Sequence, residues 1–575
     1  MACTVTATTS VIAIASCLAQ TTPQDLETAV PANWAASAGS LSISPNHYKL
    51  GSKSLRWNWT GGDVITISNP GINAPDVLDY YKNTCDFWMW NGTAMPGEKL
   101  RVEFMDGGAA QYWFDFYLDY TGWRHAVRSY KYDMGKGVNP SSTFTSVRII
   151  APASGSGSFH LDAVRWVGDS FTRIRDAQNV DIAGFSSQTK VSDAYAHAPD
   201  IAATAPTQAE LADLATLRSR WLATVKGSTA PSASSVVSAA NSFAGMNIVE
   251  DGNGIRGQVI GQFIGADTDT LESWPLTLAK DYAFGTATAN TSRDKMLQLG
   301  RHLQDQGHAA NSNEYPADEG AKGYDYQNLP KALILMAPAY NAATKAQLFD
   351  FFCWNYKMGE YWSDDWRRNV DIIYLTAFQQ LGVALFLAPN DTESVRMLKG
   401  YRSYLERYFS FADGSEDGIK VDGIGFHHRS HYNAYMYAYG PLAASLYNLR
   451  GTGFQVNLET YQNVRSAYLA KMRMSADDAG IGIGYFGNSL CGRHPFNTNT
   501  TFYQNHLREL GELGGPFYGQ SADPVIARAY NRRYGVNHYA LFTSYGVEDP
   551  PDGFLQFNYS PLGIYRRANW VASMR

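Results

Sequence analysis

The densest run of polar and aromatic side chains in this 575-residue sequence is Gly425-Phe426-His427-His428-Arg429-Ser430-His431-Tyr432-Asn433-Ala434-Tyr435-Met436-Tyr437. It holds three of the 12 histidines and three tyrosines, too many polar rings to assign to a core alone. Imidazoles and phenols bind metals or move protons. His427 and His431 stand four residues apart, a spacing that could ligate a metal from one helix face. No HExxH glutamate accompanies them, so metal ligation is disfavoured. The plain alternative is a solvated loop whose tyrosines pack on the next helix. A second segment, Gly487-Asn488-Ser489-Leu490-Cys491-Gly492-Arg493-His494-Pro495-Phe496-Asn497, is a glycine-bounded loop presenting Arg493 and His494. Alone it is weak, since an exposed loop arginine is ordinarily just solvated.

Both segments lie within a long helical region. Residues 206–545 carry amphipathic periodicity, opening on Thr207 as a cap with Glu210 three residues later. Further helices are expected at 291–305, 329–340, 343–358, 369–388, 393–410, 433–449, 459–474 and 521–532. The Gly/Asp-rich loop Asp417–Gly423 leads into the first segment. Some nine or ten helices joined pairwise by long loops, without a fixed repeat, suggest an α/α toroid whose loops line a cleft. Residues 25–170 read instead as β: Ser54-Leu55-Arg56-Trp57-Asn58-Trp59 and Cys85-Asp86-Phe87-Trp88-Met89-Trp90 alternate with period two between turn-rich stretches. An N-terminal β-sandwich of jelly-roll type, carbohydrate-binding-like, is expected there. A linker at 171–205 follows, and 546–575 turns β again, as the start of a C-terminal antiparallel sheet.

Composition narrows the function classes. The formal net charge is −6, which gives no bias toward nucleic acid, and charged residues make up only 17%. Aromatics are abundant, with 14 Trp, 36 Tyr and 27 Phe, as suits sugar stacking or large cores. No apolar run is long enough to span a membrane. Residues 1–24 read as an atypical signal or lipoprotein segment: SVIAIASCLA is a short apolar stretch, and Ile14-Ala15-Ser16-Cys17 resembles a lipobox, although no basic residue precedes it. A secreted or periplasmic protein, or a surface lipoprotein, is expected. The five cysteines form no CxxC pair and no zinc spacing.

The order of sandwich, helical domain, FHHRSHYNAY from Phe426, LCGRHPF from Leu490 and a closing Tyr565-Arg566-Arg567…Trp570 strand resembles the family eight polysaccharide lyases, with chondroitin ABC lyases as the nearest members. The resemblance implies a catalytic histidine at His428, a catalytic tyrosine at Tyr435 and a catalytic arginine at Arg493. It also implies a fourth member, a glutamate, in a larger sheet beyond the last residue of this chain. At Asp318-Glu319-Gly320-Ala321-Lys322-Gly323-Tyr324 this sequence departs from the family's His pair, having Gly320-Ala321. Asn369, heading NVDIIYLTAF, is then a candidate for neutralising the substrate carboxylate, or an ordinary helix-start residue.

The implied reaction is β-elimination at a 4-linked uronic acid of chondroitin, dermatan or hyaluronan type. Tyr435 would serve as acid and, for one uronate epimer, as base. His428 would be the base or carboxylate partner, and Arg493 would steady the tyrosinate. Tyr324, Tyr326, Trp362, Trp366, His427 and His494 are candidate substrate contacts, and Arg367, Arg368, Arg429 and Arg493 a local basic cleft for an anionic polysaccharide. No metal or other cofactor is expected, with a divalent cation left open as a structural or carboxylate-neutralising element. Nucleic acid is not an expected partner, and oligomeric state is unread. Two rival readings stand beside the lyase. One is an inverting glycoside hydrolase using Asp318/Glu319 or Asp364/Asp365 as carboxylates roughly 6.5–9.5 Å apart. The other is a non-catalytic glycan-binding protein of degenerate lyase fold.

Overall fold

The computed structural model describes residues 24, 26–75, 83–168, 201–261, 268–310, 312, 326–356, 358–362, 370–427, 430–431, 439–473, 504–548, 552–559, 562–567 and 570–574. By contact the chain divides into two compact units. The first joins Met1–Asp193 to Ala230–Pro316 and Pro338–Tyr340; the second joins Ala194–Thr229, Ala317–Ala337 and Asn341–Arg575.

The first unit opens with eleven strands: β1 (Trp34–Ala36), β2 (Ser40–Ser44), β3 (Ser54–Thr60), β4 (Val64–Ser68), β5 (Thr84–Asn91), β6 (Lys99–Asp106), β7 (Ala109–Tyr117), β8 (Gly122–Ser129), β9 (Gly135–Lys136), β10 (Ser146–Ile150) and β11 (Ser156–Gly168). They form two antiparallel sheets, ordered β1-β4-β10-β6-β7-β9 and β2-β3-β11-β5-β8. Period-two alternation builds them. In β3, Leu55, Trp57 and Trp59 point to one face and are buried, while Arg56 and Asn58 point to the other. Inward residues of both sheets, such as Trp57, Phe87, Phe104 and Ile149, join one hydrophobic cluster. Asp63 pins the first turn: its carboxylate accepts from Ser37 Oγ, the amides of Ala38 and Gly39, and Trp57 Nε1 at 2.7–2.9 Å.

The strand β5 is buried along nearly its whole length, and β8 throughout. A half-solvated strand would alternate. The reason lies in the later part of the same unit. After α1 (Gln208–Lys226), which belongs to the second unit, come α2 (Ala233–Gly245), the hairpin β12 (Val249–Asp251) and β13 (Gly254–Arg256), α3 (Trp274–Phe284) and α4 (Ala289–Asp305). The end of α4 and the residues near it meet the outer face of the five-stranded sheet: Trp90 Nε1 donates to Asp305 Oδ1 at 2.7 Å, and an Arg124 guanidinium nitrogen donates to Ala310 O at 3.4 Å. The linear reading placed all of 206–545 together and expected no helix at α2 or α3. The Ser/Asn/Gly-rich sequence of α2 reads as loop, yet Ser232 caps it and Val236, Ala239 and Phe243 bury its face.

At the centre of that buried face sits Lys49, fully enclosed. A bulge in β11 between Asp162 and Arg165, with Ala163 at φ 49°, turns the Asp162 carboxylate toward the loop that holds it. Asp162 Oδ2 accepts from the amides of Lys49 (2.6 Å) and Leu50 (2.8 Å). The Lys49 ammonium then donates to Ile260 O at 2.6 Å and Gln306 O at 2.5 Å and lies 4.3 Å over the Trp88 ring. His47 stacks on Trp90 at 3.5 Å, with His160 edge-on to both rings. Burial holds the imidazoles neutral, lowering His47 and His302 to about 4 and His160 to about 3. Burial also raises the Asp162 and Asp305 carboxyls to about 7.

The second unit is helical: α1, α5 (Asn328–Leu335), α6 (Ala342–Asn355), α7 (Met358–Tyr361), α8 (Val370–Phe386), α9 (Asp391–Tyr408), α10 (Tyr439–Leu449), α11 (Leu458–Arg473), α12 (Gln504–Gly514) and α13 (Pro524–Tyr534). Several of their starts follow caps. Thr207 and Glu210 form the expected capping box, and Asn390 caps α9. Asp523 caps α13 with proline in its first turn, moving the start past the expected 521. The apolar helix α8 packs against α1, α5, α9 and α10. Gly382 lets α1 come close: a Cβ there would sit 2.6 Å from the Trp221 ring, which stacks on Phe378 at 5.7 Å. Three strands β17 (Gly553–Phe557), β18 (Leu562–Arg567) and β19 (Trp570–Met574) close the described chain as an antiparallel meander, where the period-two reading expects them. Among the described residues no helix is long and apolar enough to cross a membrane.

Candidate active site

The segment rich in histidine and tyrosine begins on a small three-stranded sheet. The strands β14 (Gly418–Ile419), β15 (Gly425–His427) and β16 (Ser430–His431) pair antiparallel in sequence order. Phe426 pairs with Gly418 on one side and His431 on the other, and His427 pairs with Ser430. His428 and Arg429 are therefore the two residues between a paired His427 and Ser430. Where the plain alternative has a solvated loop, Phe426–His427 and Ser430–His431 are paired strands.

What holds the hairpin lies just before it. Lys420 is fully buried, and its three N–H donors are shared among four carbonyl oxygens: Ala412 and Asp413 at 3.2 Å, Gly414 at 3.0 Å and Glu416 at 2.6 Å. The ammonium also faces two rings, 4.7 Å from the Phe426 centroid and 5.6 Å from that of Tyr559. The Lys420 backbone closes the turn, donating to Ile424 O at 2.9 Å and accepting from Gly423 N at 2.8 Å. Asp422 Oδ1 accepts from Ile424 N at 3.1 Å, while its Oδ2 accepts from the amides of Asn558 (2.9 Å) and Tyr559 (3.2 Å), in the turn between β17 and β18. Ile424 joins Ala470, Phe557, Leu562 and Ile564 in a small buried cluster. Gly423 is required here. Its φ is 84°, and a Cβ would stand 2.7 Å from Ser466 O and 3.0 Å from Ala470 Cβ on α11.

The side chains of His427, His428, Tyr435, Arg493, His494, Asn369 and Tyr324 lie outside the described residues, as do Trp366, Arg367, Arg368, Arg429 and the carboxylates Asp318, Glu319, Asp364 and Asp365. Two proposed stacking rings are described, and both are packed inside. Trp362 is 1% exposed, its Nε1 donating to Gln380 Oε1 at 3.2 Å and its ring 6.1 Å from Tyr401; Tyr326 is 2% exposed. A ring closed on both faces offers none to a sugar, so these two positions are core in this structure.

Another titratable cluster joins Tyr447, which follows the first sequence segment, to residues that follow the second. Tyr447 on α10 donates to Glu512 Oε2 on α12 at 2.5 Å, and Tyr539 donates to the other oxygen. Burial and the Glu512 carboxylate raise both phenols, Tyr539 to about 12. Nearby, burial lifts the Glu509 carboxyl to about 7. A tyrosine that acts as base needs its phenol lowered by cations; these move the other way and act as donors that lock helices. Among the described residues no group of three His, Cys, Asp or Glu side chains is placed to hold a metal ion. Lys420 and Asp422 went unread as site elements in the sequence. The Asp417–Gly423 glycines and acids mark a tight loop, but a buried lysine carries no local signature.

Comparison with known proteins supplies the context. Residues 22–179 match the family described as "Lyase, N terminal", and residues 275–535 match "Lyase, catalytic". The chondroitin sulfate ABC exolyase of Bacteroides thetaiotaomicron is 23% identical over 601 aligned positions, covering 93% of this chain and 57% of that protein. The enzyme of the same name from Proteus vulgaris is 28% identical over 215 residues, covering 36% of this chain and 21% of that protein. This chain thus spans little more than half of one curated relative's length and about a fifth of the other's. Among solved structures, the chondroitin AC lyase of Streptomyces coelicolor A3 in complex with chondroitin sulphate aligns with TM-score 0.41 and 13% identity over 62% of this chain and 52% of that one. Xanthan lyase of Paenibacillus aligns with TM-score 0.40 and 13% identity, over 62% of this chain and 36% of that one.

Proposed function

Since this chain belongs to the polysaccharide lyase family, close to the chondroitin lyases, we propose that it cleaves a uronic-acid-containing glycan of the chondroitin, dermatan or hyaluronan type by β-elimination. The observation that carries this is the FHHRSHYNAY segment, which opens on a hairpin anchored by Lys420 and Asp422 within the stretch matched as lyase catalytic. In the same reading the two N-terminal sheets form a β-sandwich, supported by their shared core, and the helices of the second unit form an α/α toroid. The protein acts outside the cytoplasm, where such polymers occur.

The chemistry sets what the site must do. The C5 proton is α to a carboxylate, and its removal builds charge on that carboxylate unless donors neutralise it. Asn369 supplies that neutralisation. A base removes the C5 proton, the C4–O4 bond breaks as C4=C5 forms, and O4 leaves with a proton from the acid. Tyr435 is the acid and, for one epimer, the base. His428 is the base or the carboxylate's partner, and Arg493 stabilises the tyrosinate. No cofactor enters these steps. Tyr324, His427 and His494 make substrate contacts.

A panel of chondroitin, dermatan, hyaluronan, heparan, alginate and ulvan followed in the ultraviolet at the absorbance of the unsaturated product tests the reading. A rise with one of the first three polymers that Tyr435→Phe abolishes is the expected result. New reducing ends without the chromophore would make it a hydrolase, and glycan affinity without turnover a binding protein.

A further inference from the structure

We propose that Lys420 is a positioning residue whose ammonium serves as the resident cation of a carbonyl cage, and that this cage, with Asp422, fixes the strand that leads into His428. The inference deepens the lyase reading and rests on it for its kinetic consequence only.

Four carbonyls drawn from residues 412–416 of one loop point at a single nitrogen within 3.2 Å. Carbonyl dipoles turned toward a common centre repel one another, and protein loops adopt such a shape around a cation. Here the chain brings its own, and two ring faces add to the shell. One of those rings is Phe426, the residue that pairs with both neighbours of the small sheet. Two residues after the lysine, the Asp422 carboxylate takes two amides of the β17–β18 turn, one of them from Tyr559, whose ring the ammonium also faces. The short run Ile424–His427 is thus held by a buried cation, over the Phe426 ring, and by a carboxylate, at the Ile424 amide. Hydrophobic contact is not directional and sets no register by itself; the cluster around Ile424 holds five buried side chains among the described residues. A displacement of an ångström at such a place is enough to cost about a hundredfold in rate.

The experiment compares Lys420→Ala, Lys420→Met and Asp422→Asn with the unaltered full chain, each with and without propylammonium, which restores the missing amine, and tetramethylammonium, which has no N–H to donate. On folded protein, Lys420→Ala should lose about 30-fold or more in kcat with KM within about threefold. Propylammonium should return a substantial part, tetramethylammonium none. Hydrogen exchange at the Ile424–His427 amides should accelerate in Lys420→Ala and slow again with propylammonium, and Lys420→Met should behave as Lys420→Ala without rescue, its thioether filling the space. Asp422→Asn should show a milder loss of the same kind. A Lys420→Met protein with kcat within about twofold of the unaltered chain overturns the proposal. So does exchange at these amides that ignores both the substitution and the amine. Should the unaltered chain make no unsaturated product from any uronate, the lyase reading falls, and the exchange measurement still decides the cage.

Discussion

Two lysines, one in each unit, are fully enclosed, and they were put to different uses. Lys49 joins two layers: its backbone hangs on a carboxylate at a strand bulge, and its ammonium reaches carbonyls at Ile260 and Gln306, more than two hundred residues away. Lys420 gathers a single loop, taking carbonyls only four to eight residues behind it. Removing a charge from water is expensive, and both sites offset it with carbonyls and an aromatic face. The surroundings differ. Around Lys49 the neighbours are aromatic rings: Trp88, Trp90 and Trp123 lie on that face of the sheet, with His47 stacked on Trp90. Beside Lys420, among the described residues, lie two paired short strands and a cluster of five buried apolar side chains. A buried cation that joins segments far apart in sequence bears on how firmly they close; one that gathers the carbonyls of its own loop bears on which conformation that loop takes.

The comparison breaks most visibly at Lys49. Lys49→Met leaves two inward carbonyls unanswered and should lower the stability of the first unit by about 2–5 kcal/mol, read as an earlier first transition in guanidinium denaturation. The kcat of protein that stays folded should be unchanged, opposite to Lys420→Met; equal effects on kcat would erase the distinction. Next in size is Gly423→Ala. The positive φ and the 2.7 Å approach to Ser466 O should cost about 1–3 kcal/mol, confined to the hairpin and visible as faster amide exchange around Ile424. An exchange pattern like that of the unaltered chain would show that the backbone gives way freely there.

The smallest effect is a slope. His47, His160 and His302 are held at about 3 to 4 in the folded chain, below their ordinary value near 6.5. Between about pH 4 and 6.5 the unfolded chain therefore binds more protons at these sites, and their contribution is lost as pH falls. Asp162 and Asp305 are raised to about 7, so across the same window the folded chain holds their protons and their contribution is lost as pH rises. Asp133, raised to about 6, and Glu509, raised to about 7, act on the carboxyl side as well, so the two sets oppose each other across this window. Asp305→Asn removes one of these carboxyls and should make the slope of stability against pH more positive than in the unaltered chain by at most about 1.4 kcal/mol per pH unit, the ceiling for one proton. Melting temperature against pH would show it; a slope like that of the unaltered chain would mean Asp305 is already ionised when folded.

Much of this was legible in the sequence because it is periodic. The alternation in Ser54–Trp59 and the capped amphipathic run after Thr207 announce a strand and a helix by local chemistry. The strands after 546 did so too. What stayed hidden depends on distant partners. The helix Ala233–Gly245 is rich in serine and is stabilised by burial that its own residues do not advertise. Trp362 looks like a stacking ring until Gln380 and Tyr401 enclose it. Lys420 and Asp422 read as ordinary loop charges, since nothing local marks four converging carbonyls or a turn more than 130 residues ahead.

The bonds from Asp422 to Asn558 and Tyr559 also bear on how this protein can be cut and recombined. The change from helix to strand near residue 546 looks like a natural seam for a fusion junction or an expression boundary. Yet the side chain that clasps the first turn of the sheet beyond it belongs to the residue six positions before His428. A chain ended at that seam would keep every histidine and tyrosine of the FHHRSHYNAY segment and lose the strut behind them. Module swaps in this protein are therefore best joined upstream of residue 412 or beyond the last strand, so that the loop and the sheet travel as one part.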